Sequence, residues 1–413
     1  MDLAKLTKTV TVYGAYGHTG RFVVAELLRR GFVPVLAGRD HDKLTALAES
    51  IGNGHAAIAE TRATSTGRAR ATSTGRAQAT STGQARVASV GQARVASTGR
   101  AQAMSTGRAQ ATSIGQARVA SVGEVRVASV GDPASLDRAL AGADAVVNCA
   151  GPFAVTAGPV IEAALRAGIP YVDVAAEIEA NADTFRLFGE RAAAGVVVPA
   201  MAFFGGLGDL LVTAARGDWP DADRVHVAYG LDSWHPTAGT RAAGTVSRQR
   251  RDGRRVRFAG GRLEYRDDAA PTEKWDFPAP MGTREVIAEF SMADVVTIPS
   301  HLAVPEVRGY MTVEAARDLS SPDTPPPVAA DEQGRSEQPF VVDVVVSRGA
   351  ERRRAAAYGK DIYAVSAPLA VEAIDRILTG RIRAAGVSSA GRVFDAPDFL
   401  AALAPHIVTE VLP

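Results

Sequence analysis

The sequence predicts an α/β protein with two parts. A doubly wound parallel sheet comes first, then a second, mainly antiparallel α+β domain, and a low-complexity octapeptide insertion interrupts the first part. Three observations carry this reading. Short apolar strands alternate with amphipathic helices up to about residue 215, a glycine-rich turn joins the first strand to the first helix, and from about Asp221 strands follow one another across polar loops. A chain of 413 residues has room for two domains of ordinary size.

Thr9–Tyr13 (TVTVY) reads as a buried strand, and Thr19–Arg30 as a helix whose basic last turn suits its negative end. Gly31 stops it. Val33–Ala37 is a second strand, and Asp40–Ser50 a second helix with Asp40 as its cap. Strands alternating with helices imply parallel βαβ units. Residues 62–133 are then nine consecutive octapeptides, from RATSTGRA to RVASVGDP. The ninth copy runs into a helix with Asp132 as N-cap and Pro133 in the first helical position. Arg126–Val130 (RVASV) is therefore expected to be the third strand, and the copies in 62–125 tandem duplications of it. Their Thr, Ser, Gly, Gln and Ala offer little to bury, so a disordered surface excursion is expected. An even repeat would also suit a β-solenoid, and the arginines an RNA-binding tail, although no aromatic residue is present for base stacking.

Strands are expected at Ala145–Asn148, Tyr171–Val174 and Val196–Pro199, with helices at Pro159–Ala167 and roughly 180–194. In the second part Val225–Gly230, Arg254–Phe258, Val295–Ile298 and Phe340–Ser347 read as strands. Ser320–Gln338 reads as a loop and Tyr363–Leu378 as a helix. The division is 1–61 with 126–215 for the parallel-sheet domain, 62–125 for the insertion, 216–358 for the second domain, and 359–413 for a helical segment packing back on the first.

The net charge of +1 hides a segregation. Nine arginines and no acid lie between Arg62 and Gly123, leaving −8 on the remainder. That acidic body disfavours nucleic acid as a partner. The single cysteine, Cys149, excludes an intramolecular disulfide and a cysteine metal cage. No signal-peptide core precedes the first strand. The most apolar stretch, Ala192–Ala215, is broken by Pro199, Gly205, Gly206 and Gly208, so no membrane span and a cytoplasmic location are expected.

Gly14-Ala15-Tyr16-Gly17-His18-Thr19-Gly20 stands between a strand and a helix. The first glycine suits a tight turn. The second lets main-chain N–H groups approach a pyrophosphate, and the third allows close helix–strand packing, the fingerprint of a Rossmann dinucleotide site. At the tip of the second strand, Gly38 is followed by Arg39 rather than an acid. A guanidinium suits a 2′-phosphate, so NADP (NADPH) is the expected cofactor. Ser129 ends the third strand near the adenine, and Asn148, Ala150, Gly151 and Pro152 end the fourth, where small residues admit a cofactor ring. Cys149, among them, reads as an inert thiol.

Candidates for proton transfer are Tyr171 and Asp173 on the fifth strand, with Glu177 after it, and His235 in the segment Trp234–Thr240. A helix cap or surface carboxylate is an equal reading for Asp173. Lys360, Asp361 and Tyr363 precede the C-terminal helix. No catalytic triad or metal-ligand spacing is present.

GAYGHTG, LAGRD, DPASLDRALAGADAVVNCAGPF and YVDVAAE together resemble the NADP-binding domain of the saccharopine dehydrogenase-like family, which includes trans-acting enoyl reductase-like proteins. YGKDIYAVSAPLAVEAIDRILTG and GVSSAGRVFDAPDFLAAL resemble that family's closing segment. The likeness covers about the first 215 residues less the array, plus the last 60 or so. It departs at Tyr16, where a Thr or Ser is usual, at His18, where an aromatic is usual, and at Ser129, where an acid is usual. The resemblance implies an NADP(H)-dependent oxidoreductase acting on a small organic or acyl substrate. The alternative is a non-catalytic NADPH-binding sensor. The second domain is a candidate surface for a homodimer, although the sequence does not give the oligomeric state.

Overall fold

The chain is described by a computed structural model for residues 8–54 and 123–412, and between them for the backbone of strands within residues 68–121. It divides into two compact units, Met1–Val147 and Asn148–Pro413.

In the first unit, β1 (Thr9–Tyr13) leads through the glycine turn into α1 (His18–Arg30), followed by β2 (Val33–Gly38) and α2 (His41–Gly54). The apolar spacing buries Val23, Val24, Leu27 and Leu28 of α1, and Gly31 at φ 87° closes the helix. After the array come β10 (Val125–Val127), α3 (Pro133–Leu140) and β11 (Ala145–Asn148). The Asp132 side chain accepts a hydrogen bond from Ser135 N–H, with Pro133 next to it, as the cap sequence predicts. The third strand is shorter than RVASV and starts one residue earlier, pairing parallel to β2 at Val125↔Leu36.

The disorder expected for 62–125 is not what the described residues of that stretch show. They form β3 (Arg68–Ser73), β4 (Arg76–Ser81), β5 (Gln84–Ser89), β6 (Gln92–Ser97), β7 (Arg100–Ser105), β8 (Arg108–Ser113) and β9 (Ala117–Ser121). Alternate copies pair in parallel, β3-β5-β7-β9 in one sheet and β4-β6-β8 in another, with partners such as Arg68↔Gln84 one double repeat apart. Composition weighs only burial. An even period gives every rung the same side-chain alternation, so a continuous main-chain ladder supplies the hydrogen bonds. Residues 62–67 lie outside the described set.

The second unit begins with α4 (Phe153–Ala167), β12 (Tyr171–Asp173), α5 (Ile178–Phe188), β13 (Val196–Val198) and α6 (Gly208–Arg216). Helix α4 starts six residues before the expected Pro159, which it carries inside. A proline there removes one helical bond without stopping a long buried helix. The chain continues through β14 (Arg224–Leu231), α7 (Ala238–Arg250), β15 (Arg255–Ala259), β16 (Arg262–Arg266), β17 (Thr272–Phe277) and β18 (Gly282–Ala288). Next are α8 (Asp294–Thr297), β19 (Val307–Thr312), α9 (Val313–Ser320), β20 (Pro339–Arg348) and β21 (Glu351–Lys360). It ends in α10 (Ser366–Leu378), β22 (Gly386–Val387), α11 (Ala390–Val393), α12 (Ala396–Ala402) and β23 (Ile407–Leu412). The expected strand at Val295–Ile298 is a correction, because its β-branched residues lie in the short helix α8 and just after it. Buried packing of Val295 and Ile298 overrides their strand propensity.

The parallel strands have the order β10-β2-β1-β11 in the first unit and β12-β13-β22 in the second. Strand β22 comes from the C-terminal segment and pairs parallel to β13. The second sheet has nine strands, in the order β16-β15-β19-β14-β20-β21-β23 with the β17–β18 hairpin joined to β19. Antiparallel pairings dominate it, β14 with β19 being parallel. No helix of the described residues is long and apolar enough to cross a membrane.

Candidate functional site

In the first unit the glycine turn has the backbone that its sequence predicts. Gly14 has φ 86°, a left-handed conformation that favours glycine, and the N–H groups of Gly14 and Ala15 donate to the Ala37 carbonyl at 2.8 and 3.3 Å. Gly17 is the N-cap of α1 and brings no side chain to it. A Cβ on Gly20 would lie 2.3 Å from the Gly14 carbonyl oxygen, so the helix approaches the turn only because that position is glycine. The result is a tight turn with a glycine N-cap at a positive helix end, which fits a dinucleotide diphosphate.

Around it, Arg21 Nε donates to the Tyr16 carbonyl, and the His18 and Phe22 rings meet edge to face. Arg39 is exposed at the end of β2. Its neighbour Asp40 is committed elsewhere, accepting from Lys43 N–H at 3.1 Å and pairing with Lys43 Nζ at 3.0 Å. Ser129 is half-buried, its N–H donating to Ser135 Oγ and its own Oγ accepting from Gly131 N–H.

In the second unit, Asn148, Tyr171 and Asp173 form one buried network. Asn148 Nδ2 donates to the Tyr171 hydroxyl at 3.2 Å, and that hydroxyl donates to Asp173 Oδ2 at 2.8 Å. Asp173 Oδ1 accepts from Ala175 N–H and Ala200 N–H, at 3.0 and 2.8 Å. Burial pushes Asp173 above the ordinary carboxylate range against the pull of these bonds, and pushes Tyr171 well up. Asn148 Oδ1 accepts from Ala150 N–H, which fixes the turn through Gly151 and Pro152 into α4. Glu177 Oε1 takes up Phe153 N–H at the start of that helix. Burial raises the Cys149 thiol, as an inert cysteine requires.

His235 is half-buried on a segment fastened by Tyr363. The Tyr363 hydroxyl accepts from Trp234 Nε1 at 2.9 Å and from Thr237 N–H at 3.3 Å, and lies 3.0 Å from Thr240 Oγ1. Asp361, at φ 60°, accepts from Tyr363, Ala364 and Ser336 N–H groups, while Lys360 pairs with Glu337.

Sequence reasoning missed a second buried cluster in this unit. Tyr229 OH donates to both oxygens of Asp294, and Asp209 meets His301 at 2.6 Å. Asp209 within the most apolar stretch was the one available signal; His301 and Asp294 stand in unremarkable sequence. Among the described residues no group of three or more His, Cys, Asp or Glu is placed to hold a metal.

A family model described as saccharopine dehydrogenase NADP binding domain matches residues 83–198. The glycine turn, at residues 14–20, lies before that stretch, with α1, β2, α2 and part of the array between them. No curated protein matches the chain. Among solved structures, saccharopine dehydrogenase (L-Glu forming) from Saccharomyces cerevisiae superposes with a TM-score of 0.53 at 12% identity, over 98% of this chain and 100% of that one. That likeness is one of fold. The WlbA dehydrogenase from Thermus thermophilus, solved with NAD and alpha-ketoglutarate, reaches a TM-score of 0.35 at 13% identity, over 96% of this chain and 93% of that one.

Proposed function

We propose that the chain is an NADP-dependent oxidoreductase that moves hydride between NADP(H) and a small organic or acyl substrate, a reading supported by the match of residues 83–198 to the saccharopine dehydrogenase NADP binding domain. The observation that carries this reading is the turn from Gly14 to Gly20, where α1 approaches the Gly14 carbonyl more closely than any Cβ at Gly20 would allow. In it the N-terminal amides of α1 would hold the diphosphate, with Arg39 taking a 2′-phosphate and Ala150, Gly151 and Pro152 the nicotinamide half. NADP, when bound, supplies the hydride chemistry itself.

The chain's own residues bind and orient. Asn148 sets the turn that would receive the ring, and Tyr171 and Asp173 hold Asn148 and the 200–201 backbone in place. Their burial and saturated hydrogen bonds support positioning roles for both rather than direct proton delivery. His235, on its fastened loop, is the remaining candidate to give or take a proton.

That saturation of Tyr171 and Asp173 also favours a second reading, an NADPH-binding sensor without catalysis. Oxidation of NADPH across a panel of imines, enoyl thioesters and ketones separates the two. Turnover of any class supports the enzyme; tight NADPH binding with no turnover of any supports the sensor.

A further inference from the structure

The end of β2 holds more than Arg39. A Cβ on Gly38 would come within 2.8 Å of Cε1 of Tyr16, so the phenol ring lies directly on the backbone of that strand end. Lys43 Nζ stands over the same ring, 5.7 Å from its centroid. Lys43 lies in the first turn of α2, four residues after Arg39, and Asp40 beside it raises its ammonium above the ordinary range.

We propose that Tyr16, Arg39 and Lys43 form one clamp for the 2′-phosphate of NADP, in which Lys43 exchanges Asp40 for the phosphate. This rests on the reading that the glycine turn holds the cofactor's diphosphate. The exchange is easy because the Asp40–Lys43 pair is well exposed, at 36% and 65% of the two side chains, where such pairs are weak. Asp40 stays in place after losing Lys43 Nζ, since its other oxygen caps α2 through Lys43 N–H. Lys43, in the first turn of α2, is thus the specificity-determining partner of Arg39. A phosphate bridging the two replaces a solvated pair with charge-assisted bonds to a dianion. The ring beneath offers a flat, apolar floor beside them.

The test is coenzyme titration of the full chain at low salt, following NADPH and NADH fluorescence separately. Lys43→Met is expected to weaken NADPH about tenfold, the loss of one charge-assisted bond, and to leave NADH within about twofold. Asp40→Asn, which still caps the helix, is expected to tighten NADPH a few-fold by removing the competing carboxylate. An unchanged NADPH-to-NADH ratio in Lys43→Met, with both coenzymes still bound, overturns the clamp alone. A wild-type chain that binds neither coenzyme overturns the cofactor reading, and the clamp with it.

Discussion

The imidazole Nε2 of His301 lies 2.6 Å from Oδ1 of Asp209, and neither side chain exposes more than 4% of its surface. The other Asp209 oxygen accepts from Gly391 N–H at 2.8 Å, so one buried carboxylate ties α6 to the loop before β19 and to the C-terminal segment. Space there is closed: a Cβ on Gly391 would lie 2.8 Å from Asp209 Oδ1 and still nearer Thr213 Oγ1. Asp209→Ala would leave the Gly391 amide and the His301 ring buried without their acceptor. It should cost roughly 3–5 kcal/mol, the usual effect of breaking a buried pair. Urea unfolding checks this, and a loss under about 1 kcal/mol would contradict the anchoring role.

Asp294 sets a pH dependence whose sign can be worked out. Burial pushes its carboxyl from 3.8 up to about 7, against the hydrogen bond from Tyr229, and Asp209 nearby adds to the rise. The folded state therefore holds a proton that the unfolded chain releases. The associated stability is complete below about pH 4 and is lost as pH rises toward 7, amounting to roughly 4 kcal/mol. Asp294→Asn keeps an acceptor for the Tyr229 hydroxyl and cannot ionise. Denaturation at pH 5, 6.5 and 8 should show wild type weakening across the series by more than the variant does. Parallel curves would exclude Asp294 as the titrating group.

Tyr171 and Asp173 should behave differently on substitution although they touch. Tyr171→Phe removes one hydroxyl, while Asn148 Nδ2 keeps Thr156 and Asp173 keeps two backbone donors. The expected cost is about 1 kcal/mol. Asp173→Ala strands the Ala175 and Ala200 amides together with the Tyr171 hydroxyl, and should cost about 3 kcal/mol or more. In any assay with turnover, Tyr171→Phe should keep most of kcat, because a positioning residue whose bonds are partly replaced does not move the reacting proton. A collapse of kcat with the fold and NADPH affinity intact would restore Tyr171 as a proton donor.

The parts legible in the sequence are those governed by local rules. Gly14 declares the turn by a positive φ and Gly20 by a helix approach that no Cβ allows, and Asp132–Pro133 declares a helix start. What escaped depends on partners distant in the chain. His301 meets Asp209 across 92 positions, and Tyr229 meets Asp294 across 65, separations that carry no periodic signal. The Val295–Ile298 segment misled because β-branched residues suit a strand until packing decides otherwise. The array misled in the opposite direction: its composition argues against a core, while its even period favours a ladder that composition does not register.

Two of the glycines assigned to the cofactor differ in what surrounds them, and substitution should separate their roles. At Gly20 a Cβ would lie 2.3 Å from the Gly14 oxygen and 2.9 Å from that of Ala15, both main-chain atoms that cannot swing away. Gly20→Ala must therefore open the turn, at about 1–3 kcal/mol of stability, and should weaken NADPH at least about tenfold as the amides lose their aim. At Gly151 the nearest atoms to a Cβ are ring carbons of Phe153 at 3.7 and 3.8 Å, ordinary contact distances. Gly151→Ala should leave the melting temperature nearly unchanged and still weaken NADPH, because its added methyl stands where the nicotinamide half is proposed to lie. Melting curves and NADPH titrations of both variants decide the matter. Full NADPH affinity in Gly151→Ala would move the ring elsewhere, and full affinity in Gly20→Ala would remove the diphosphate from the turn.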